Sequence, residues 1–263
     1  MTSQINDYSR SGPKKLVWFS CGAASACVAK LALETYPSED VEIVYCDTSD
    51  SEHPDNLRFL TDVEQWIQHP VKILKSKRYS DIDKVFEKKR FMSSRFGAPC
   101  TVEMKKRVRF DYQLPMDIHL FGMTIEEGKR IEKFVNNNPE LYLQWLLIEY
   151  KMTKEDCLSM ISRANIDIPI MYQLGYRNNN CMGCVKATSP AYWNKVREDF
   201  PEVFQKRVDQ SLAMNNKLVR VNGKMISLSL LDPENSDSFD EDLSCGPQCS
   251  PWPSLPSESD VLP

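Results

Sequence analysis

The fold of this chain is decided by the stretch Leu16-Val17-Trp18-Phe19-Ser20-Cys21-Gly22-Ala23-Ala24-Ser25, four apolar residues followed by a turn of small ones. The apolar run has the composition of a β-strand, and residues 26–36 predict a helix that Pro37 ends. The first N–H groups of a helix lack internal partners, and the helix dipole favours an anion there. The pattern therefore predicts a phosphate site, although a plain strand–helix turn also uses Ser and Gly.

The turn offers a phosphate two kinds of contact. Small side chains at Gly22, Ala23 and Ala24 would let the phosphate approach the backbone, and Ser20 and Ser25 can add hydroxyl donors. The stretch is not a Walker motif, because no Gly-Lys-Ser/Thr follows it.

Strands and helices alternate on both sides of this turn. Residues 41–46, 71–74 and 118–122 read as further strands, and residues 54–67 read as a helix between the second and third strands. This alternation predicts an α/β fold with a doubly wound parallel sheet and helical crossovers. Further along, Thr153 predicts the N-cap of a helix, and residues 191–214 predict a final helix interrupted near Pro201.

Length and composition set the outer limits. The 263 residues, 41% of them hydrophobic, suffice for one large domain with a core. No run of about 18 apolar residues predicts a membrane span, and residues 1–13 lack the apolar stretch of a secretory signal. We expect a cytoplasmic protein with a flexible N-terminus over residues 1–13, an α/β domain over residues 14–231, and a disordered or loosely draped tail over residues 232–263.

Charge is spread unevenly along the chain. The net charge is -4, but eight of the 37 acidic residues lie in the tail, which has no Lys or Arg. The rest of the chain therefore has 33 basic and 29 acidic residues, a balance that suits an anionic substrate without indicating nucleic acid. A denser basic run, interleaved with aromatic residues, could grip a nucleic-acid backbone or could be a solvated helix face. Its members are Lys88, Lys89, Arg90, Phe91, Arg95, Phe96, Lys105, Lys106, Arg107, Arg109 and Phe110.

Nine cysteines without an export signal argue against a disulfide framework and favour metal, cluster or redox chemistry. Cys181 and Cys184 have the spacing of two thiolates on one metal, and Gly183 permits the tight turn between them. The preceding residues 178–180, all Asn, can supply hydrogen bonds and positive-φ turns. Four thiolates would suit zinc or an iron–sulfur cluster equally, so the ligands leave the metal open.

The remaining cysteines divide into core and candidate positions. Cys27 and Cys46 fall in a predicted helix and strand, where we expect buried thiols. Cys21 lies at the start of a helix, which would lower its pKa, yet a structural role is the expected one.

Several segments carry a resemblance to a known family. Residues 19–25 look like a PP-loop, and Asp47-Thr48 looks like the end of a second-strand motif that contacts the nucleoside. Gly122-Met123, with Glu127 and Arg130, resembles a Gly-x-Arg-x-x-Glu-x-x-Arg region, and Cys181 and Cys184 resemble a downstream Cys-x-x-Cys. In order and spacing these segments resemble the phosphoadenosine phosphosulfate (PAPS) reductase-like branch of the PP-loop adenine nucleotide alpha-hydrolase superfamily, phage-encoded members included.

The resemblance implies a fold and a ligand. It implies a PP-loop α/β domain that binds ATP, or PAPS or APS, with Glu126 and Glu127 acting through Mg²⁺ or by orienting an Arg. The implied nucleotide contacts are Ser20, Gly22, Ala23, Ala24, Ser25, Asp47, Thr48, Gly122, Met123, Glu127 and Arg130. Three positions depart from the commoner family pattern: Cys21 stands for Gly, Ala24 for Asp and Met123 for Arg.

The resemblance also implies a [4Fe-4S] cluster. Cys100, with Lys105 and Lys106 behind it, matches the family's upstream ligand, and Cys181 and Cys184 match the later pair. The fourth ligand is Cys245 or Cys249, with Cys157 as the alternative. Cys245 or Cys249 also has a second reading as a sulfur-handling nucleophile, because PAPS reductases carry such a cysteine in a C-terminal motif.

Three functions follow as expectations. The leading one is ATP-dependent activation coupled to sulfur transfer, with a nucleotide or a nucleic acid as acceptor. The alternatives are a PAPS- or APS-type reductase served by a thiol-reducing protein, and a nucleotide-binding interaction protein without catalysis. The oligomeric state stays open, a homodimer included.

Overall fold

Five parallel strands form the central sheet of the protein, whose computed structural model describes residues 10–94 and 96–237. In chain order the strands are β1 Lys15–Phe19, β2 Val41–Cys46, β3 Val71–Leu74, β4 Ile118–Phe121 and β5 Tyr142–Gln144. Across the sheet the order is β3-β2-β1-β4-β5. Lys15, the first residue of β1, pairs with Val41 of β2 on one side and with Ile118 of β4 on the other.

Helices connect the strands and cover the sheet. They are α1 Ala23–Thr35, α2 Asp55–Ile67, α3 Ile82–Lys89, α4 Pro99–Thr101, α5 Arg107–Tyr112, α6 Gly128–Asn137, α7 Leu146–Glu149, α8 Lys154–Arg163, α9 Ile170–Gln173, α10 Pro190–Asp199 and α11 Pro201–Ala213. A π-helical segment, Val102–Lys106, joins α4 to α5. A small antiparallel hairpin, β6 Val219–Val221 and β7 Lys224–Ile226, follows α11. In residues 10–94 and 96–237, no helix is long and apolar enough to cross a membrane.

The sheet buries both of its faces. Along β1, Val17 and Phe19 join a core cluster with α1, α2 and α8, whereas Leu16 and Trp18 join a second cluster with α5 and α6. Successive side chains of a strand point to opposite faces, so a strand buried on both sides reads as a continuous apolar run. The fold is thus α/β with a parallel sheet flanked by helices, and this layout is compatible with double winding.

A further core cluster lies between α3, α10, α11 and the β6–β7 hairpin, and Trp193 is its largest fully buried side chain. Cys184 belongs to this cluster, and Cys100 packs against it. We call it the C-terminal cluster. Cys184 of the Cys-x-x-Cys loop therefore packs in a core that is separate from the two clusters on the faces of the sheet.

Several local predictions are confirmed. β3 covers the predicted residues 71–74, and Thr153 caps α8 by accepting the N–H of Asp156. A break at Phe200 separates α10 from α11, next to the predicted interruption at Pro201. β5 and the β6–β7 hairpin were not predicted, because three-residue strands are too short to show a periodicity. The predictions for residues 1–9 and for the tail from residue 238 onward, Cys245 and Cys249 included, lie outside the described residues.

Candidate functional site

The strand order reverses its direction between β1 and β4. The chain leaves β1 toward β2 on one side and leaves β4 toward β5 on the other. In open parallel sheets, ligands bind outside the carboxyl ends of the strands at such a reversal. The turn that follows β1 and Gly122, which follows β4, both lie there.

The turn is braced by its own hydroxyl groups. Ser25 Oγ accepts the N–H of Ser20 at 3.1 Å, donates to the Gly22 carbonyl at 2.9 Å and lies 3.2 Å from Ser20 Oγ. Cys21 has a φ of 55°, a left-handed conformation that this bracing holds in place. Both predicted phosphate hydroxyls are therefore already part of the scaffold that shapes the turn.

Gly122 lets the end of β4 pack directly against the first turn of α1. A Cβ atom on Gly122 would lie 2.6 Å from the Ser25 nitrogen and 2.8 Å from the Ala24 carbonyl carbon. No side chain fits in this space, so glycine is required at this position for steric reasons. Gly122, a predicted nucleotide contact, is thus also needed for the packing of β4 against α1.

Tyr172, on α9, reaches the start of α1. Its phenol oxygen accepts the backbone N–H groups of Ala23 and Asn179, and burial raises the pKa of Tyr172 to about 12. A Cβ atom on Gly22 would lie 3.3 Å from the same oxygen. Tyr172 is therefore a neutral hydroxyl at the predicted phosphate site.

A buried carboxylate, Glu52, lies behind the turn and is only 3% exposed. It accepts hydrogen bonds from Tyr45 Oη at 2.7 Å, from Asn56 Nδ2 at 2.8 Å and from the Thr48 hydroxyl. Lys105 Nζ lies 3.9 Å from Glu52 Oε1. Thr48, a predicted nucleoside contact, thus has its hydroxyl committed to this network.

Asn179 connects that network to the turn. Its Nδ2 donates to the Cys21 carbonyl at 2.6 Å and to Asn56 Oδ1 at 2.7 Å. The expected hydrogen bonding by the Asn triplet is therefore found. The expected positive φ angles are not, because the triplet residues are all absent from the positive-φ positions of the described chain.

The Cys-x-x-Cys loop sits beside these residues. Gly183 has a φ of 61°, as the predicted tight turn requires, and a Cβ atom there would lie 2.9 Å from Val203 Cγ1. The Met182 N–H donates to the Ser51 carbonyl at 2.9 Å, and the Cys184 N–H donates to Tyr192 Oη at 2.8 Å. The loop is thereby fixed to the segment after β2, and both of its cysteines are buried.

The cysteines do not all meet. Cys157 is fully buried against α1, where Cys27 Sγ donates to its carbonyl at 3.5 Å, so the core reading of Cys157 and Cys27 is the one observed. Cys100 and Cys184 share the C-terminal cluster instead. Within the described part of the chain, no group of three or more Cys, His, Asp or Glu side chains is placed to hold a metal ion. The predicted fourth ligands Cys245 and Cys249 lie outside that part.

The pKa of Cys21 moves opposite to the helix-dipole expectation. Burial and the nearby charge of Glu52 raise the pKa of the Cys21 thiol well above its ordinary value. The reason is that desolvation of a thiolate outweighs the favourable helix terminus. Cys21 is therefore a structural thiol, in agreement with its expected role. Burial likewise raises the pKa of Cys46 to about 12.

The other predicted nucleotide contacts have protein partners. Burial works against ionisation of Asp47, but hydrogen bonds from Ser49 and the ion pair with Lys75 Nζ at 3.1 Å lower its pKa on balance. Glu127 caps the turn at Thr124 and forms an ion pair with Arg130, so it orients that Arg as one reading expected. Met123 has its side chain in the core beside Phe121 and Trp18.

The basic run is split between the interior and the surface. Lys105, Lys106 and Arg109 are buried, with Arg109 0% exposed, so these three do not form a solvated face. Burial lowers the pKa of Arg109 to about 10. Surface positions are held by Lys88, Arg90 and the aromatic side chains of Phe91, Phe96 and Phe110.

Comparison with protein-family models and with curated proteins finds no match to this chain. The site geometry therefore carries the functional argument. It brings together the N-terminus of α1 at the carboxyl edge of the sheet, a buried polar network around Glu52 and the Cys-x-x-Cys loop.

Proposed function

We propose that this chain is a PP-loop-type enzyme that binds an adenine nucleotide on the turn of residues 20–25 and uses ATP to activate an acceptor for sulfur transfer. One observation carries the proposal: the predicted phosphate turn and the predicted Cys-x-x-Cys loop meet at the same edge of the sheet. Asn179 and Cys21, 158 residues apart, are joined by a hydrogen bond of 2.6 Å. Met182, inside the Cys-x-x-Cys, is bonded to Ser51.

The phosphates would lie on the first turn of α1. The N–H groups of Ala24 and Ser25 belong to that turn, where a helix supplies no partner of its own, and the dipole favours negative charge. Arg130, held by Glu127, adds a cation on the segment that follows Gly122. An acceptor oxygen would attack the α-phosphorus, and the bond from that phosphorus to the pyrophosphate oxygen would break.

The second half of the reaction places sulfur on the activated acceptor. A sulfur nucleophile attacks the acceptor atom that carries the adenylate, and AMP leaves with the bonding electron pair. Cys181 and Cys184 lie on the loop that Asn179 joins to the turn, which supports a part for them in guiding that sulfur from its donor to the acceptor. The described residues do not gather three ligands for an iron–sulfur cluster.

The cluster itself stays a prediction that depends on Cys245 or Cys249. Iron and sulfide analysis of anaerobically purified full-length protein tests it, with Cys184→Ser as the variant expected to lose the iron. Zinc without iron would replace the cluster by a zinc site. The cytoplasmic location, the nucleic-acid acceptor, a homodimer and bound Mg²⁺ stay predictions as well.

The activity test starts from binding. Titration calorimetry with ATP establishes the nucleotide, and release of AMP and pyrophosphate is then followed with oligonucleotides or nucleotides as acceptors and a sulfur donor present. Cys181→Ser should retain ATP binding and lose the thiolated product, whereas Cys27→Ser, in the core beside Cys157, should retain both.

Other outcomes point to the alternatives. If ATP is inert but PAPS yields sulfite in the presence of a thiol-reducing protein, the chain is a sulfonucleotide reductase. If adenine nucleotides bind and neither reaction occurs, it is a nucleotide-binding interaction protein, for which the departures at Cys21, Ala24 and Met123 would then account.

A further inference from the structure

Asn179 is held rigidly at the edge of the proposed nucleotide site. The residue is only 8% exposed. Its backbone N–H is bonded to the Tyr172 phenol oxygen, and its Nδ2 donates to the Cys21 carbonyl and to Asn56 Oδ1. Rotating the amide by 180° would set Oδ1 against those two oxygens. Both the place and the orientation of this side chain are therefore determined.

The oxygen of the same amide, Asn179 Oδ1, is buried and receives no hydrogen bond from the described residues. Buried acceptors in proteins are almost always paired, and leaving one unpaired is costly. Beside the predicted phosphate turn, the chain therefore holds a fixed acceptor that has no donor among the described residues.

The chemistry of a nucleotide limits which of its groups can do so. Phosphate oxygens are acceptors at neutral pH, so the donors are the ribose hydroxyls and the adenine amine. Asn179 contacts the carbonyl of Cys21 inside the turn that would hold the phosphates. The ribose follows the phosphates directly, whereas the amine is at the far end of the base.

We infer that Asn179 Oδ1 accepts a hydrogen bond from a ribose hydroxyl of the bound nucleotide and thereby discriminates against the analogue that lacks this hydroxyl. This inference rests on the proposed nucleotide site and adds a specificity-determining residue to it. A site built to bond a hydroxyl rejects the analogue that lacks it, because its own polar group is then left unpaired.

The test compares ATP with 2′-deoxy-ATP, 3′-deoxy-ATP and the 6-deamino analogue by titration calorimetry. One deoxy analogue should bind the wild-type chain about ten-fold more weakly than ATP. In Asn179→Ala that ten-fold difference should disappear, while any effect of the 6-deamino change should persist. A merely structural role of Asn179 would weaken all the ligands equally and leave the ratio between ATP and its deoxy analogue unchanged.

The matched control is Asn178→Ala on the same loop. Asn178 Oδ1 is bonded to Lys154 Nζ at 3.0 Å, so this variant should keep the ribose preference. Should Asn179→Ala fail to fold, the wild-type series still decides: equal affinities for ATP and both deoxy analogues overturn the inference. ATP binding without ribose preference removes this inference alone, whereas no binding of ATP removes the proposed function with it.

Discussion

The two edges of the parallel sheet both bury polar groups, but ion pairs hold the amino edge, whereas mainly hydrogen bonds between polar side chains hold the carboxyl edge. At the amino edge, just before β4, Asp117 accepts two bonds from Arg10 at 2.6 and 2.9 Å and the N–H groups of Lys14 at 2.8 Å and Leu114 at 2.6 Å. At the carboxyl edge, Glu52 is bonded in a similar way, yet Asn179 Oδ1 beside it has no donor within the described chain.

We call the amino edge, with Arg10 and Asp117 at its centre, the structural clamp, and we place the proposed ligand site at the carboxyl edge. Arg10 also lies 3.2 Å from Glu42 and stacks over Tyr112, with 5.0 Å to the ring centre, so the amino edge is closed by charge pairing and packing. Charge pairing in a buried network adds rigidity, whereas an acceptor without a donor beside the predicted phosphate turn is a candidate contact for a ligand. Substitutions at the amino edge should therefore affect folding, and those at the carboxyl edge should affect binding.

Removing the centre of the clamp should have the largest effect. Asp117→Ala leaves the Arg10 guanidinium buried without its main counter-charge, which should lower the free energy of unfolding by about 3–5 kcal/mol. Urea denaturation followed by circular dichroism measures this, with Asp40→Ala at an exposed position as control. A loss below about 1 kcal/mol would show that the amino edge is not a clamp.

Acid should weaken the same half of the sheet through His119. Burial, followed by the charge of Arg109, lowers the pKa of His119 to about 4. The unfolded chain protonates near its ordinary pKa of about 6.5, so it binds a proton that the folded chain does not. Stability should therefore fall as the pH drops from about 6.5 toward 4, by up to about 3 kcal/mol.

The measurement is the free energy of unfolding across that pH range in the wild type and in His119→Gln. The glutamine keeps an acceptor for Trp18 Nε1, which donates to His119 Nδ1 at 3.0 Å. A shallower acid slope is expected in the variant, and parallel curves would exclude His119 as the cause.

At the carboxyl edge, Gly122→Ala should act on binding as well as on folding. The added methyl group would press on Ala24 and Ser25, which should cost about 1–3 kcal/mol of stability and displace the N–H groups that the proposed phosphate site uses. Nucleotide affinity should fall at least about ten-fold, or 1.4 kcal/mol. Gly128→Ala is the matched control, because a Cβ atom there meets nothing within 4 Å. Unchanged affinity in Gly122→Ala would move the phosphates away from this turn.

Thiol reactivity gives the smallest and most local readout. Because burial raises the pKa of Cys21, its thiol should resist iodoacetamide at neutral pH until the protein unfolds, whereas the half-buried Cys100 should be modified sooner. Peptide mass spectrometry over a time course follows both residues. Alkylation of Cys21 as fast as Cys100 would argue for a reactive thiolate in the turn.

Local features of the fold were open to prediction. The strand at residues 71–74, the cap at Thr153, the break near Pro201 and the left-handed turn at Gly183 each depend on bonding or sterics within a few residues. Such short-range effects leave a readable pattern in the sequence.

The arrangement of the candidate site was not open to prediction in the same way. Sequence spacing placed Lys105, Lys106 and Arg109 on a solvated or nucleic-acid-binding face, yet all three are buried under the sheet. The position of Tyr172 at the start of α1 could not be read from the sequence, and neither could the close approach of Gly122 to Ser25.

By itself, then, the sequence determined four of the five strands of the central sheet, the cap of α8 and the small-residue turn, because periodicity, capping and backbone sterics act between neighbours. Only the tertiary structure decided that Asn179 bonds to Cys21 across 158 residues and that Glu52 lies behind the turn. It also decided that Cys157 is a core residue packed against α1. The physical reason is that burial and long-range pairing depend on how distant segments pack, and that packing follows from the whole chain at once.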